Sequence, residues 1–175
     1  DVPLDLVGYS NGGALAVKYT LDAINDGTSA RPARLVLLSP MIGVTRFARF
    51  AGLAGWPAVF PAFVKAAWLS TLPEYNPFKY NSFPVNAGRQ SFRLVSALQD
   101  EINAAVRSGR IADMPPMLTF QSAIDFTVST SAVVSALYDQ LPDNGSELVL
   151  FDVNRAATVG ILFRNRAKQS VQSLL

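Results

Sequence analysis

The first 38 residues follow the pattern of a strand, a turn, a helix and a second strand. Apolar side chains alternate with others over residues 2–7, a glycine-rich turn covers residues 8–13, and a largely apolar helix is predicted over residues 14–24. Residues 35–38 are four consecutive aliphatic residues, which is typical of a strand covered on both faces in a parallel sheet. Together these segments predict a βαβ unit.

The same order of patterns returns in the last third of the chain. Residues 117–121 predict a strand, residues 131–141 predict a helix, and residues 148–153 predict a further strand. Strands that alternate with helices indicate an α/β fold. We therefore expect a mostly parallel sheet with helices on both faces.

An aromatic-rich stretch broken by prolines lies between the two units, and we interpret it as an insertion over residues 44–110. The core then consists of residues 1–43 and 111–175. Within the insertion, apolar spacing predicts a helix over residues 89–107. Its most apolar run, residues 50–64, is shorter than the roughly 20 residues that a membrane-spanning helix requires. We expect at most a transient contact of the insertion with a membrane surface.

The 175 residues include no cysteine and no histidine. Disulfides, thiolate catalysis and cysteine-ligated metals are therefore excluded for these residues, and the commonest general base and metal ligand is missing. We expect neither a metal nor an organic cofactor. The 15 basic and 13 acidic side chains give a net charge of +2 and form no basic run, so nucleic acid is not an expected partner. Oligomeric state and compartment stay open, with a slight preference for the cytoplasm.

A serine stands at the centre of the predicted turn, in the sequence GYSNGG. Gly8, Ser10 and Gly12 match G-x-S-x-G, a motif in which a sharp turn from strand to helix exposes the serine hydroxyl. We interpret Ser10 as a candidate nucleophile and the backbone N–H of Asn11 as a donor to the oxyanion. Gly8 and Gly12 are expected to remove Cβ atoms that would clash in the turn. The alternative is an ordinary turn in which Ser10 or Asn11 caps the helix.

A serine nucleophile needs a base, and the base needs a carboxylate that orients it. Asp125 follows the strand predicted at residues 117–121, so we expect it at the same edge of the sheet as Ser10. It is our candidate for the acid. Asp152, at the end of a strand, and Asp139, on a helix, are weaker alternatives, and Asp125 could instead cap the next helix.

The residues LVGYSNGGALA, RLVLLSP and PPMLTFQSAIDFTV, with the insertion between the last two, resemble the α/β-hydrolase superfamily. More narrowly, the chain looks like the serine hydrolases that include monoacylglycerol lipases, lysophospholipases and serine aminopeptidases. The resemblance implies a partial α/β-hydrolase fold with the insertion as a helical cap over the turn. It also implies an acyl-enzyme on Ser10, with Asp125 as the acid of a catalytic triad whose histidine comes last in the chain.

The chain departs from that superfamily at both ends. The strands and the loop with the second oxyanion N–H that precede the turn in the superfamily are not among these residues, and neither is a histidine. We expect a chain truncated at both ends that is nearly inactive by itself, because loss of a triad member costs about 10⁴- to 10⁶-fold in rate. The alternative is a protein that has lost the histidine.

These observations predict a hydrolase of carboxylic esters, of lysophospholipase or monoacylglycerol lipase type. Its substrate would be a small or lipid-like ester. Peptidases and thioesterases use the same machinery, and a non-catalytic binding protein of this fold is the alternative from another class. Dehalogenases and epoxide hydrolases need a carboxylate where this chain has Ser10. The insertion is rich in aromatic residues that could line an acyl-chain tunnel or simply pack against one another: Phe47, Phe50, Trp56, Phe60, Phe63, Trp68, Phe78 and Phe83.

Overall fold

The computed structural model describes residues 2–43, 68–70, 82–123 and 128–151. Along the chain these residues form β1 (Asp5–Tyr9), α1 (Asn11–Asp26), β2 (Arg34–Leu38), β3 (Trp68–Ser70), β4 (Phe83–Pro84), α2 (Val85–Ser108), β5 (Met117–Ser122), α3 (Thr130–Ala136) and β6 (Glu147–Phe151). Short 3₁₀ turns follow α2 and α3. Both predicted βαβ units are confirmed, and so is the α/β class.

The main sheet has four parallel strands in the order β1-β2-β5-β6. Tyr9 pairs with Leu38, Leu38 pairs with Phe120, and Ser122 pairs with Phe151. The carboxyl ends of all four strands therefore meet at one edge of the sheet. In open α/β sheets, ligands bind at this edge.

The three described helices pack on the same face of the sheet. Leu35, Leu37 and Met117 point to this face and are fully buried with apolar residues of α1, α2 and α3. The reason is topological, because each crossover adds its strand on the same side of the preceding one. Right-handed crossovers that run in one direction place their helices on one face.

The other face of the sheet is open among the described residues. Val7 and Tyr9 are 71% and 70% exposed, and Leu38, which pairs with Tyr9, is 37% exposed. Further along this face, the rings of Phe120 and Phe151 stack at 5.9 Å. Among the described residues, helices cover β2 on one face only, and cover of its other face stays a prediction.

Helix α2 lies within the residues that we assigned to the insertion, but its packing places it with the core. Val95, Leu98 and Ile102 are buried in the same apolar cluster as Leu35 and Leu37. The helix begins four residues earlier than predicted and ends at Ser108, where the left-handed Gly109 (φ 75°) stops it. The division into core and insertion stays a prediction, with α2 now counted with the core.

Most of the predicted insertion, including the apolar run at residues 50–64, lies outside the described residues. Within the ranges that the structure does describe, no helix is long and apolar enough to cross a membrane. The expected contact with a membrane surface stays a prediction.

Candidate active site

The candidate site is built on the turn between β1 and α1. Ser10 follows the last residue of β1 and precedes the first residue of α1, with backbone angles φ 52° and ψ −118°. A positive φ is unfavourable for a residue with a side chain, and such conformations persist only where the surroundings enforce them. Ser10 is partly exposed at the carboxyl edge of the sheet.

Hydrogen bonds hold both backbone groups of Ser10. Its N–H donates to the carbonyl oxygen of Leu38 at 3.0 Å, which extends the pairing of β1 with β2 by one residue. Its carbonyl oxygen accepts from the N–H groups of Gly13, Ala14 and Met41 at 3.0, 3.3 and 3.0 Å. These four hydrogen bonds fix the peptides on either side of Ser10 and so maintain its unfavourable backbone angles.

The sharpness of the turn depends on Gly8 and Gly13. A Cβ on Gly8 would lie 2.6 Å from the carbonyl oxygen of Gly12, and a Cβ on Gly13 would lie 2.7 Å from the Cβ of Pro40. A Cβ on Gly12 would meet no described atom within 4 Å. The steric argument made from the sequence therefore holds for Gly8 and is wrong for Gly12 among the described residues, and Gly13 takes that role.

The N-terminus of α1 lies directly after Ser10. The first N–H groups of any helix have no acceptor within the helix, and the helix dipole adds partial positive charge there. The N–H of Asn11 is one of these groups, and the first turn of the 16-residue helix has no acidic side chain. An oxyanion that forms beside Ser10 would thus meet a favourable charge.

The capping alternative finds no support in the geometry. Ser10 makes no side-chain hydrogen bond to the start of α1. The side-chain amide of Asn11 points to another helix instead and donates to the Oγ of Ser91 in α2 at 2.8 Å. No sequence pattern identified Ser91, because the contact joins residues 80 positions apart.

Asp125, the candidate acid, lies outside the described residues, and so does Asp152. The structure does place the end of β5, at Ser122, on the same edge of the sheet as Ser10, with β2 between them. Strand spacing puts the axes of β1 and β5 about 10 Å apart. The two strand ends therefore lie side by side at this edge, one strand apart.

Asp139 lies at the opposite edge. Its neighbour Tyr138 donates a hydrogen bond of 2.6 Å to the carbonyl oxygen of Glu147, the first residue of β6. Since Ser10 follows the last residue of β1 in a parallel sheet, Asp139 stands at the end of the sheet away from it. We therefore discard Asp139 as a candidate acid.

Among the described residues, the side chains with shifted pKa values lie away from Ser10. Burial by itself lowers the pKa of Lys18, but the hydrogen bonds and charges of Glu101 and Asp22 together raise it above its ordinary value of 10.5. Burial raises the pKa of Tyr138. Hydrogen bonds to the carboxylate lower the pKa of Asp26, and the largest effect comes from the backbone N–H of Thr28. Of these, the Lys18 pair matters for the site because it joins α1 to α2.

Among the residues whose positions are described, no group of three histidine, cysteine, aspartate or glutamate side chains could hold a metal ion. At the described edge of the sheet, a serine hydroxyl lies beside the N-terminus of α1.

Two solved structures are similar in fold to this chain. One belongs to LipS and LipT, two metagenome-derived lipolytic enzymes, with a TM-score of 0.57 and 19% sequence identity over 86% of this chain. The other is a soluble variant of monoglyceride lipase from Saccharomyces cerevisiae in complex with a substrate analog, with a TM-score of 0.55 and 12% identity over 86% of this chain. The match spans 56% of the first protein and 53% of the second, so this chain corresponds to little more than half of either.

No family model matches the sequence, and no curated protein matches it either. The likeness is therefore one of fold. These residues form part of an α/β-hydrolase fold of the kind found in lipases and esterases.

Proposed function

We propose that Ser10 is the nucleophile of a serine hydrolase that cleaves carboxylic esters. The observation that carries this proposal is the backbone of Ser10, which is held at φ 52° by four hydrogen bonds between a parallel strand and a helix N-terminus. Ser39, directly after β2, also has a positive φ of 44° but does not precede a helix, so the proposal rests on the strain at Ser10 together with its place before the N-terminus of α1. Strained residues of this kind are concentrated at active sites.

In the proposed reaction, the Oγ of Ser10 attacks the carbonyl carbon of the ester and its proton passes to a base. The bond from Oγ to carbon forms, the carbonyl oxygen becomes an oxyanion, and the N–H of Asn11 donates to it. The bond to the alcohol then breaks, and the base returns the proton to the leaving oxygen. Water cleaves the acyl-enzyme in the same way, with Asp125 orienting the base throughout.

The base is a histidine by resemblance, and these 175 residues contain none. We therefore propose that the activity belongs to a protein that carries this chain together with a histidine. The chain by itself would be nearly inactive, since removal of one triad member lowers the rate about 10⁴- to 10⁶-fold.

For the substrate, we propose a lipid-like ester, such as a lysophospholipid or a monoacylglycerol. The aromatic residues predicted for the insertion support an apolar acyl site. The two similar structures are described as lipolytic enzymes and as a monoglyceride lipase, which agrees with this choice. A peptide or a thioester would react through the same groups and is distinguished by assay.

A fluorophosphonate probe tests the nucleophile in this chain, with imidazole added as the missing base. The Oγ of Ser10 would attack phosphorus, fluoride would leave, and imidazole would take the proton. We expect mass spectrometry to find the probe on Ser10 and not on the Ser10→Ala variant, while Ser135→Ala, a change at an exposed serine of α3, keeps the labelling. Equal labelling of wild type and Ser10→Ala would overturn the assignment.

One observation favours a second candidate, a protein of this fold that binds an ester without cleaving it. That observation is the lack of histidine in the 175 residues. If this candidate is correct, calorimetry will detect binding of lysophospholipid or monoacylglycerol by the chain, and no acyl group will appear on Ser10 even when imidazole is present.

A further inference from the structure

A side-chain contact joins α2 to the residue next to the candidate nucleophile. The Nδ2 of Asn11 donates to the Oγ of Ser91 at 2.8 Å. Ser91 is 6% exposed, whereas Asn11 lies on the exposed side of the turn. The nearly buried hydroxyl of Ser91 thus accepts a hydrogen bond from the side chain of the first residue of α1.

Helix α2 is a firm support for this contact because other polar interactions tie it to the same region. Lys18 in α1 forms an ion pair with Glu101 in α2. The side-chain amide of Gln99 donates to the carbonyl oxygen of Ile42 at 3.0 Å, just after Met41, whose N–H binds the carbonyl oxygen of Ser10. Movement of Ser91 relative to the turn would strain these interactions.

We propose that Ser91 is a positioning residue for the oxyanion site. It contacts no reacting atom and acts by holding the side chain of Asn11, which keeps the N–H of Asn11 directed toward the oxygen bound to the attacked atom. This inference rests on the proposed function. A preorganised donor lowers the barrier because it needs no reorientation when charge develops.

A serine with a purely structural role would behave differently. Its loss would lower the free energy of unfolding and leave the rate of the folded protein unchanged. If Ser91 acts through Asn11, Ser91→Ala must also slow the reaction, and it must do nothing further once Asn11 has become alanine. A double-mutant cycle separates the two cases, because only coupled residues show non-additive effects.

The experiment measures the rate of Ser10 phosphonylation at increasing probe concentration, in the 175-residue chain with imidazole present. Loss of one hydrogen bond predicts a maximal rate about 2- to 10-fold lower for Ser91→Ala, with an unchanged half-saturating concentration. We expect the same loss for Asn11→Ala and for the double variant. Ser96→Ala, the same change five residues along α2, serves as the matched control and keeps the wild-type rate.

The possible outcomes distinguish the role of Ser91 from the proposed function on which that role rests. No labelling of Ser10 in wild type would overturn both. Labelling of Ser10 at an unchanged rate in Ser91→Ala, or losses that multiply in the double variant, would overturn the role of Ser91 alone. Circular dichroism checks that each variant is folded. If Ser91→Ala does not fold, Asn11→Ala decides, because a normal rate for that variant contradicts the proposal.

Discussion

Gly13 lies so close to Pro40 that the two residues set how near α1 comes to the segment after β2. A Cβ on Gly13 would be 2.7 Å from the Cβ and 2.9 Å from the Cα of Pro40. Pro40 stands directly before Met41, whose N–H binds the carbonyl oxygen of Ser10. The absence of a side chain at Gly13 is thus linked to the conformation of the candidate nucleophile.

Gly13→Ala should therefore destabilise the protein by about 1–3 kcal/mol, because the methyl group overlaps a rigid ring and the backbone has to shift. Gly12→Ala is the matched control. The added methyl group would meet no described atom within 4 Å. The variant should leave the free energy of unfolding unchanged or raise it by up to about 1 kcal/mol, since alanine is a better helix former than glycine. Urea unfolding of both variants gives the comparison, and equal stabilities would contradict the packing described for Gly13.

Replacement of Ser10 by glycine should stabilise the protein while it removes the proposed nucleophile. Glycine adopts a positive φ without strain, so Ser10→Gly should be more stable than Ser10→Ala by about 1 kcal/mol or more. Thermal and urea unfolding of the two variants measure the difference. If Ser10→Gly proves less stable than Ser10→Ala, the backbone of Ser10 is not strained.

Asp125→Asn tests the proposed acid in a protein that carries this chain together with a histidine. Asparagine keeps the shape of the side chain but cannot stabilise a charged imidazole, so kcat should fall by about 10⁴-fold. Steady-state kinetics with a p-nitrophenyl ester measure the loss, and circular dichroism confirms the fold. A rate close to wild type would transfer the role to Asp152, which Asp152→Asn would then test.

The ion pair of Lys18 should make stability depend on alkaline pH. The pKa of Lys18 is raised in the folded protein, so its contribution is complete below pH 10.5 and is lost as pH rises through the folded pKa. At pH 9, Lys18→Met should lower the free energy of unfolding by up to about 1 kcal/mol. This difference should shrink as the pH rises above 10.5. A difference that stays constant from pH 9 to pH 12 would show that charge is not its source.

A lipid-like substrate predicts a preference for long acyl chains in the same histidine-containing protein. With p-nitrophenyl esters of two to sixteen carbons as substrates, kcat/KM should rise with chain length to an optimum. Trp56→Ala, within the predicted insertion, should shift that optimum. A flat profile would count against an acyl-chain site and in favour of a small ester.

Much of the fold could be predicted because local patterns determine it. Four aliphatic residues in a row marked β2, and apolar spacing followed by a glycine marked α2. The motif around Ser10 predicted a strand, a sharp turn and a helix in the observed order. These features depend on residues that are close together in the sequence, so the sequence alone predicts them.

The parts that sequence reasoning missed depend on distant contacts. Gly13 is required because of Pro40, and Ser91 binds Asn11 from 80 residues away. The described helices lie on one face of the sheet because the crossovers run in one direction, and strand patterns do not reveal that direction. The predicted position of Asp125 lies outside the described residues, so its role stays a prediction.

Of the three N–H groups that converge on the carbonyl oxygen of Ser10, two come from the first turn of α1 and one, that of Met41, comes from the segment after β2. Rotation of the peptide that contains this oxygen would break all three hydrogen bonds together, so any other backbone conformation of Ser10 would be less stable. Any control over its reactivity would have to act through groups that approach it, such as a base or a ligand, because the serine's own backbone offers no switch.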